Sequence, residues 1–277
     1  MWLRAAIFFV AFAAIAAVVL GRLHWRSGTR ELRRQIAAGL RPAPPRNDNV
    51  PAPVARYLSL VLPSGAPPIA SARFQHTGTF NMSESGANWR PFTSHQTVTL
   101  HRPGFDWDAR IQMAPGVAAF VHDAYVNGSG LLRVRALGFL PLVDIYSNPE
   151  INTGELQRFL AEAIWYPSPL ASSHIFWEPL GPSTARATLR DGAVAASVDF
   201  HFDDAGLLAS VTADRFRVVN GVSTLTPWLC AVSNYQRHDG ILIPIEGEVS
   251  WLLPQGNHPY WRATLTHIEY DFERSSS

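Results

Sequence analysis

Apolar and polar residues alternate with a period of two over most of the chain beyond residue 64. Phe105, Trp107, Ala109, Ile111 and Met113 fall on one side of such a run, with Asp106, Asp108, Arg110 and Gln112 on the other. Val194, Ala196, Val198, Phe200 and Phe202 repeat the pattern opposite Ser197, Asp199, His201 and Asp203. Successive side chains leave opposite faces of an extended backbone, so each run predicts a strand with one buried face. Further strands are expected at 72–80, 92–100, 118–126, 131–137, 174–178, 184–190, 207–218, 224–236, 241–252 and 260–272. Turn signals separate many of them: Asn127-Gly128, Asp191-Gly192, Asp203-Asp204-Ala205-Gly206, Asn220-Gly221 and Asp239-Gly240. Short turns between successive strands predict antiparallel neighbours.

One segment switches to helical spacing. Leu156, Phe159, Leu160, Ala163 and Ile164 form an apolar stripe over 152–164, ending by Trp165-Tyr166-Pro167. Asn152 with Glu155 three residues on reads as the N-cap. A long meander must close or curl to hide its edges. The expected fold is therefore mainly β: roughly a dozen antiparallel strands in a curled sheet around this one amphipathic helix. Leu156, Phe159, Leu160 and Ile164 should be buried on its concave side.

The first 63 residues follow other rules. Residues 5–20 (AAIFFVAFAAIAAVVL) carry no charge, and Trp2 and Trp25 flank them. This predicts a transmembrane helix at 1–25, slightly short for a bilayer core of about 30 Å, and uncleaved because Val18-Val19-Leu20 follows the small residues. Residues 26–63 then hold a basic juxtamembrane helix (29–40), a Pro-rich linker and a short helix at 54–62. The β-rich domain takes 64–277.

Composition narrows the chemistry. Hydrophobic residues make up 47% of the 277 residues and charged residues 16%, enough apolar surface for a sizeable core. The net charge of +1 gives no electrostatic case for nucleic acid. All 23 basic residues are Arg, which excludes a Schiff-base or phosphate-loop lysine. A single cysteine, Cys230, in an apolar run, excludes an intrachain disulfide and reads as a buried, inert thiol. The chain has no Gly-x-Ser-x-Gly, no His-Glu-x-x-His and no Gly-rich phosphate loop. No metal and no cofactor are expected. Asp106 and Asp108, or Glu246 and Glu248, are carboxylates two apart on a strand face, and dispersed acids such as Asp108 and Glu248 could serve a hydrolase assembled only in three dimensions. The aromatic residues Trp165-Tyr166, Trp177, Trp251 and Tyr260-Trp261 sit near element ends and suit either core packing or an apolar cavity.

Four phrases carry a resemblance: PVARYL at 53–58, GFDWDAR at 104–110, LAEAIWYP at 160–167 and PYWR at 259–262. Through them the chain resembles a family of uncharacterised bacterial proteins, over the body and not the anchor. The resemblance implies a fold similar to that of the lipoprotein carriers of the bacterial envelope, a curled antiparallel half-barrel of about 11 strands wrapping one helix, and hence lipid or acyl-chain binding. It brings no catalytic residues. The expected function is a membrane-anchored, non-enzymatic binder of an apolar ligand, with Phe105, Trp107, Ile111, Phe159, Trp165, Tyr166, Val198, Phe200, Trp251 and Trp261 lining its site. Two alternatives are a protein-interaction module with a closed core and the hydrolase. An extracytoplasmic body is expected from the resemblance, although Arg22, Arg26, Arg30, Arg33 and Arg34 argue for the cytoplasm by the positive-inside rule.

Overall fold

The alternating runs form strands in the computed structural model, which describes residues 2–39, 41–219 and 221–273. In chain order the elements are α1 (Trp2–Ala38), α2 (Ala52–Val61), β1 (Ile69–Asn81), β2 (Trp89–Thr99), β3 (Gly104–Ala114), β4 (Val117–Val126), β5 (Ser129–Ala136) and β6 (Leu140–Tyr146). Then come α3 (Pro149–Ala161), β7 (Ile175–Pro179), β8 (Thr184–Asp191), β9 (Val194–Phe202), β10 (Leu208–Val219), β11 (Val222–His238), β12 (Ile241–Leu253) and β13 (Gly256–Phe272).

All thirteen strands belong to one open antiparallel sheet, in the order β6-β5-β4-β3-β2-β1-β13-β12-β11-β10-β9-β8-β7. The resemblance implies about 11 strands, and the alternating runs number twelve. The segment missed is β6, where Pro141 interrupts the donor pattern that marks a strand. Every neighbour in the sheet is also a neighbour in sequence except β1 and β13, which pair from Ile69↔Phe272 to Phe80↔Trp261. The chain thus runs outward from the centre to β6, crosses by α3 to the opposite edge at β7, and runs back.

α3 lies on the concave side against β9, β5, β10 and β4. Leu156, Phe159, Leu160 and Ile164 are buried there, as the stripe requires. Its start differs from expectation. The N-cap is Asn148, whose side chain accepts from Ile151 N at 2.8 Å, with Pro149 opening the helix. Asn152 lies inside the helix, and its side chain accepts from Gly130 N at 2.7 Å instead. α2 covers one end of the core with Val54, Tyr57, Leu58 and Val61 buried.

The N-terminal residues form one continuous helix rather than an anchor followed by a separate basic helix. Trp25, Thr29 and Ile36 are buried where α1 crosses the outer face of β2, β3 and β4. The expected transmembrane helix is not shown: among the described residues no helix is long and apolar enough to cross a membrane. Of the apolar run, Ala6, Ile7, Val10, Ala11, Ala13 and Ala14 have side chains outside the described residues. The linker is fastened to the body, with Asn47 N donating to Ala171 O at 2.7 Å and Ser173 N to Pro45 O at 2.8 Å.

Candidate functional site

Because α3 leans toward β9 and β5, it leaves part of the concave face uncovered. Trp165, just past its end, reaches over that face: its indole packs near Phe74, His76 and Trp261, and its Nε1 donates to Pro244 O at 3.0 Å. Beside it lies a partly open cavity of about 480 Å³. Its apolar walls are Phe80, Trp107, Ile111, Val134, Trp228, Val249, Trp251, Tyr260 and Trp261, contributed by six strands on both sides of the β1–β13 seam. A volume of this size lies within the range of small-molecule sites.

One side of the cavity is charged. Arg158 of α3 pairs with Asp123 at 2.6 Å and Glu162 at 2.7 Å, and reaches Gln96 Oε1 at 3.3 Å. Its guanidinium also lies 5.0 Å from the Phe105 ring and 5.1 Å from Trp107. Arg215 donates to Gly154 O at 2.8 Å and lies 5.0 Å from the Trp228 ring, with its Nε unpartnered. Glu155 is buried nearby. Burial first, and the Asp123 charge second, push its carboxyl well above the usual range. Cys230 faces the same cavity as a thiol, since burial pushes it up to about 12.

Of the expected lining residues, Trp107, Ile111, Trp165, Trp251 and Trp261 border the cavity. Phe105, Phe159, Tyr166, Val198 and Phe200 do not; they are packed in the solid core between α3 and the sheet. Alternation identified the inward face of each strand but could not tell where along it the helix would lie. The sequence marks Tyr260 as suiting either core packing or an apolar cavity, whereas Phe80 and Trp228 were missed.

A second constellation lies on the opposite side of the sheet, under α1. His122 Nδ1 is 2.6 Å from Asp106, and Thr29 Oγ1 is 3.1 Å from His122 Nε2. Trp25 Nε1 donates to Asp108 at 2.9 Å while its ring stacks on His122 at 4.2 Å. Arg110 bonds Asp108, and Arg33 lies 3.5 Å from Asp106. Burial opposes ionisation of Asp108. Arg110, His122 and Trp25 outweigh it, holding the carboxyl below its usual range. The hydroxyl–imidazole–carboxylate order is that of an activated nucleophile. However, Thr29, His122 and Asp106 are all buried, and none borders a described cavity. The cluster ties α1 to β3 and β4 as a polar clasp. The expected acid pair does not assemble: Asp108 is under α1, whereas Glu248 is exposed on β12 and pairs with Arg262 at 2.6 Å. Among the described residues no group of three or more His, Cys, Asp or Glu could hold a metal ion.

Residues 48–270 match the model of a family described as a family of unknown function, DUF6920. No curated protein matches. Among solved structures, a LolA superfamily protein from Nitrosomonas europaea matches with 10% identity and a TM-score of 0.43, covering 80% of this chain and 94% of that one. A β-barrel-like protein of a domain of unknown function from Brucella abortus matches with 11% identity and a TM-score of 0.23, covering 74% and 100%.

Proposed function

The chain belongs to the DUF6920 family of unknown function, and from that premise we propose that it is a membrane-tethered, non-enzymatic binder of a lipid or acyl chain. The observation that carries this reading is the cavity of about 480 Å³ between α3 and the sheet. Its walls are indole, phenyl and aliphatic groups, which would gain little by facing water and much by facing an alkyl chain. Each methylene moved from water into such a space contributes about 0.8 kcal/mol. The charged groups at its side are mostly satisfied by one another, as the Arg158 set shows, so they do not force water into the apolar part.

The tether is the apolar run at 5–20, and the body stands outside the cytoplasm. A binder held at a membrane does not diffuse with its cargo. The role that fits is local: taking a chain from the adjacent bilayer and presenting it to another molecule.

Native mass spectrometry of the full chain, released from its own cell membrane, tests the reading. A lipid-sized mass in stoichiometric amount is expected. Val134→Trp, which places an indole inside the cavity, should lose that mass while keeping the fold. Clean ligand-free protein, or a variant that carries lipid as well as the parent, would leave the interaction-module reading in its place.

A further inference from the structure

The rims of the sheet differ. In an antiparallel meander successive hairpins alternate ends, so the turns after β1, β3 and β5 share one rim. β13 runs opposite to β1, so the β12–β13 and β10–β11 turns lie on that rim too. The cavity opens there: its lining includes Met82, Ser83 and Glu84 after β1, Arg217 and Val218 at the end of β10, and His258 at the start of β13.

α1 leaves the sheet at the same rim. Where it passes the β5–β6 turn, a Cβ on Gly21 would lie 2.8 Å from the Phe139 ring, and Gly138, at φ +87°, packs against Gly21. Only two glycines allow so close an approach. The residues before Gly21, the apolar run among them, continue roughly 28 Å past this point at about 1.5 Å per residue.

The rim itself is apolar at its tips. Met82, Val117, Leu140, Val218, Val222 and Leu225 are all exposed. They belong to four different turns, so no single local packing fault explains them. Arg217 stands among them, holding the Glu84 backbone oxygen at 3.1 Å with the Glu84 carboxylate as a counter-charge, and Arg22 follows Gly21 beside the β5–β6 turn. Exposed aliphatic tips beside arginine, continuous with an apolar helix that projects from the same place, match a phospholipid surface: apolar groups enter the acyl boundary and guanidinium groups meet phosphate.

We propose that this rim docks on the bilayer into which α1 is tethered, so that the mouth of the cavity opens directly onto lipid. The inference rests on the tether reading. It gives the ligand a route that never crosses water.

The full chain, with Cys230→Ala and one new cysteine, is labelled with an environment-sensitive fluorophore and placed in vesicles of zwitterionic and anionic phospholipid carrying a headgroup nitroxide. Labels at Val222→Cys and Leu140→Cys should lose most of their fluorescence. A label at Ala205→Cys, in the exposed β9–β10 turn beside α2 at the opposite rim, should keep it. If the chain floats with the vesicles but all three labels are equally bright, docking is wrong while the tether stands, and the rim is left for a protein partner. If the chain does not float, the tether reading fails and docking fails with it.

Discussion

His76 is a histidine that the fold keeps neutral. It is buried, both ring nitrogens lack a partner among the described residues, and the Trp165 and Trp261 rings lie 4.7 Å and 5.4 Å away. Burial, and then the Arg158 charge, lower its pKa to about 3. Above the ordinary value of about 6.5 the ring is neutral whether folded or not, so it adds no pH dependence. Below that value the unfolded chain takes a proton that the folded chain refuses. Stability then falls by about 1.4 kcal/mol per pH unit until about pH 3. His76→Phe should therefore lose less stability than the parent between pH 7 and pH 4.5, read as urea midpoints. Equal losses would show that some other group sets the acid limit. At this scale the sequence was a partial guide. It placed Asp106, Asp108 and Arg110 on one face but gave no sign that a helix would bury that face, because an acid–aromatic alternation looks the same under solvent as under a clasp.

Among the elements, α1 joins two kinds of chemistry in one helix. Its later half is fixed by Trp25, which is 3% exposed and bonded to Asp108. Removing a buried tryptophan costs about 3–5 kcal/mol, and the Asp108 acceptor would lose a donor as well. Trp25→Ala should abolish hydrogen-exchange protection over residues 21–38 while leaving β8 to β10 protected. Unchanged protection would show that Ile36 and the Gly21 contact hold the helix without it. The strands were legible because period two and Gly-containing turns agree; Asn127 and Gly128, at φ 53° and 87°, form the expected tight turn. β6 was not legible, since Pro141 breaks its pattern. The start of α3 was misread because two residues, Asn148 and Asn152, both suit a cap, and only the contact with Gly130 decides between them.

For the whole molecule, the curled sheet around a helix was legible from strand number and one misplaced period, whereas the cavity depended on how far α3 leans. Orientation is a property of the whole chain as well. A C-terminal alkaline phosphatase fusion to the full chain is expected to be active, placing β13 and the cavity outside the cytoplasm. An inactive fusion beside a bright fluorescent-protein fusion would put the body inside, as the five arginines after the apolar run favour.

The seam between β1 and β13 also sets a schedule. The two strands are neighbours in the sheet, yet Ile69 and Phe272 are partners from opposite ends of the body. During synthesis at roughly 5–20 residues per second, β1 waits on the order of ten seconds or more for the last strand to emerge. Until then the ribosome has delivered two half-sheets, each with a long unpaired edge in what becomes the middle. Such non-local pairing is slow to find. The cell must keep those edges from pairing with another nascent chain, and the sheet is completed only once β13 has left the ribosome.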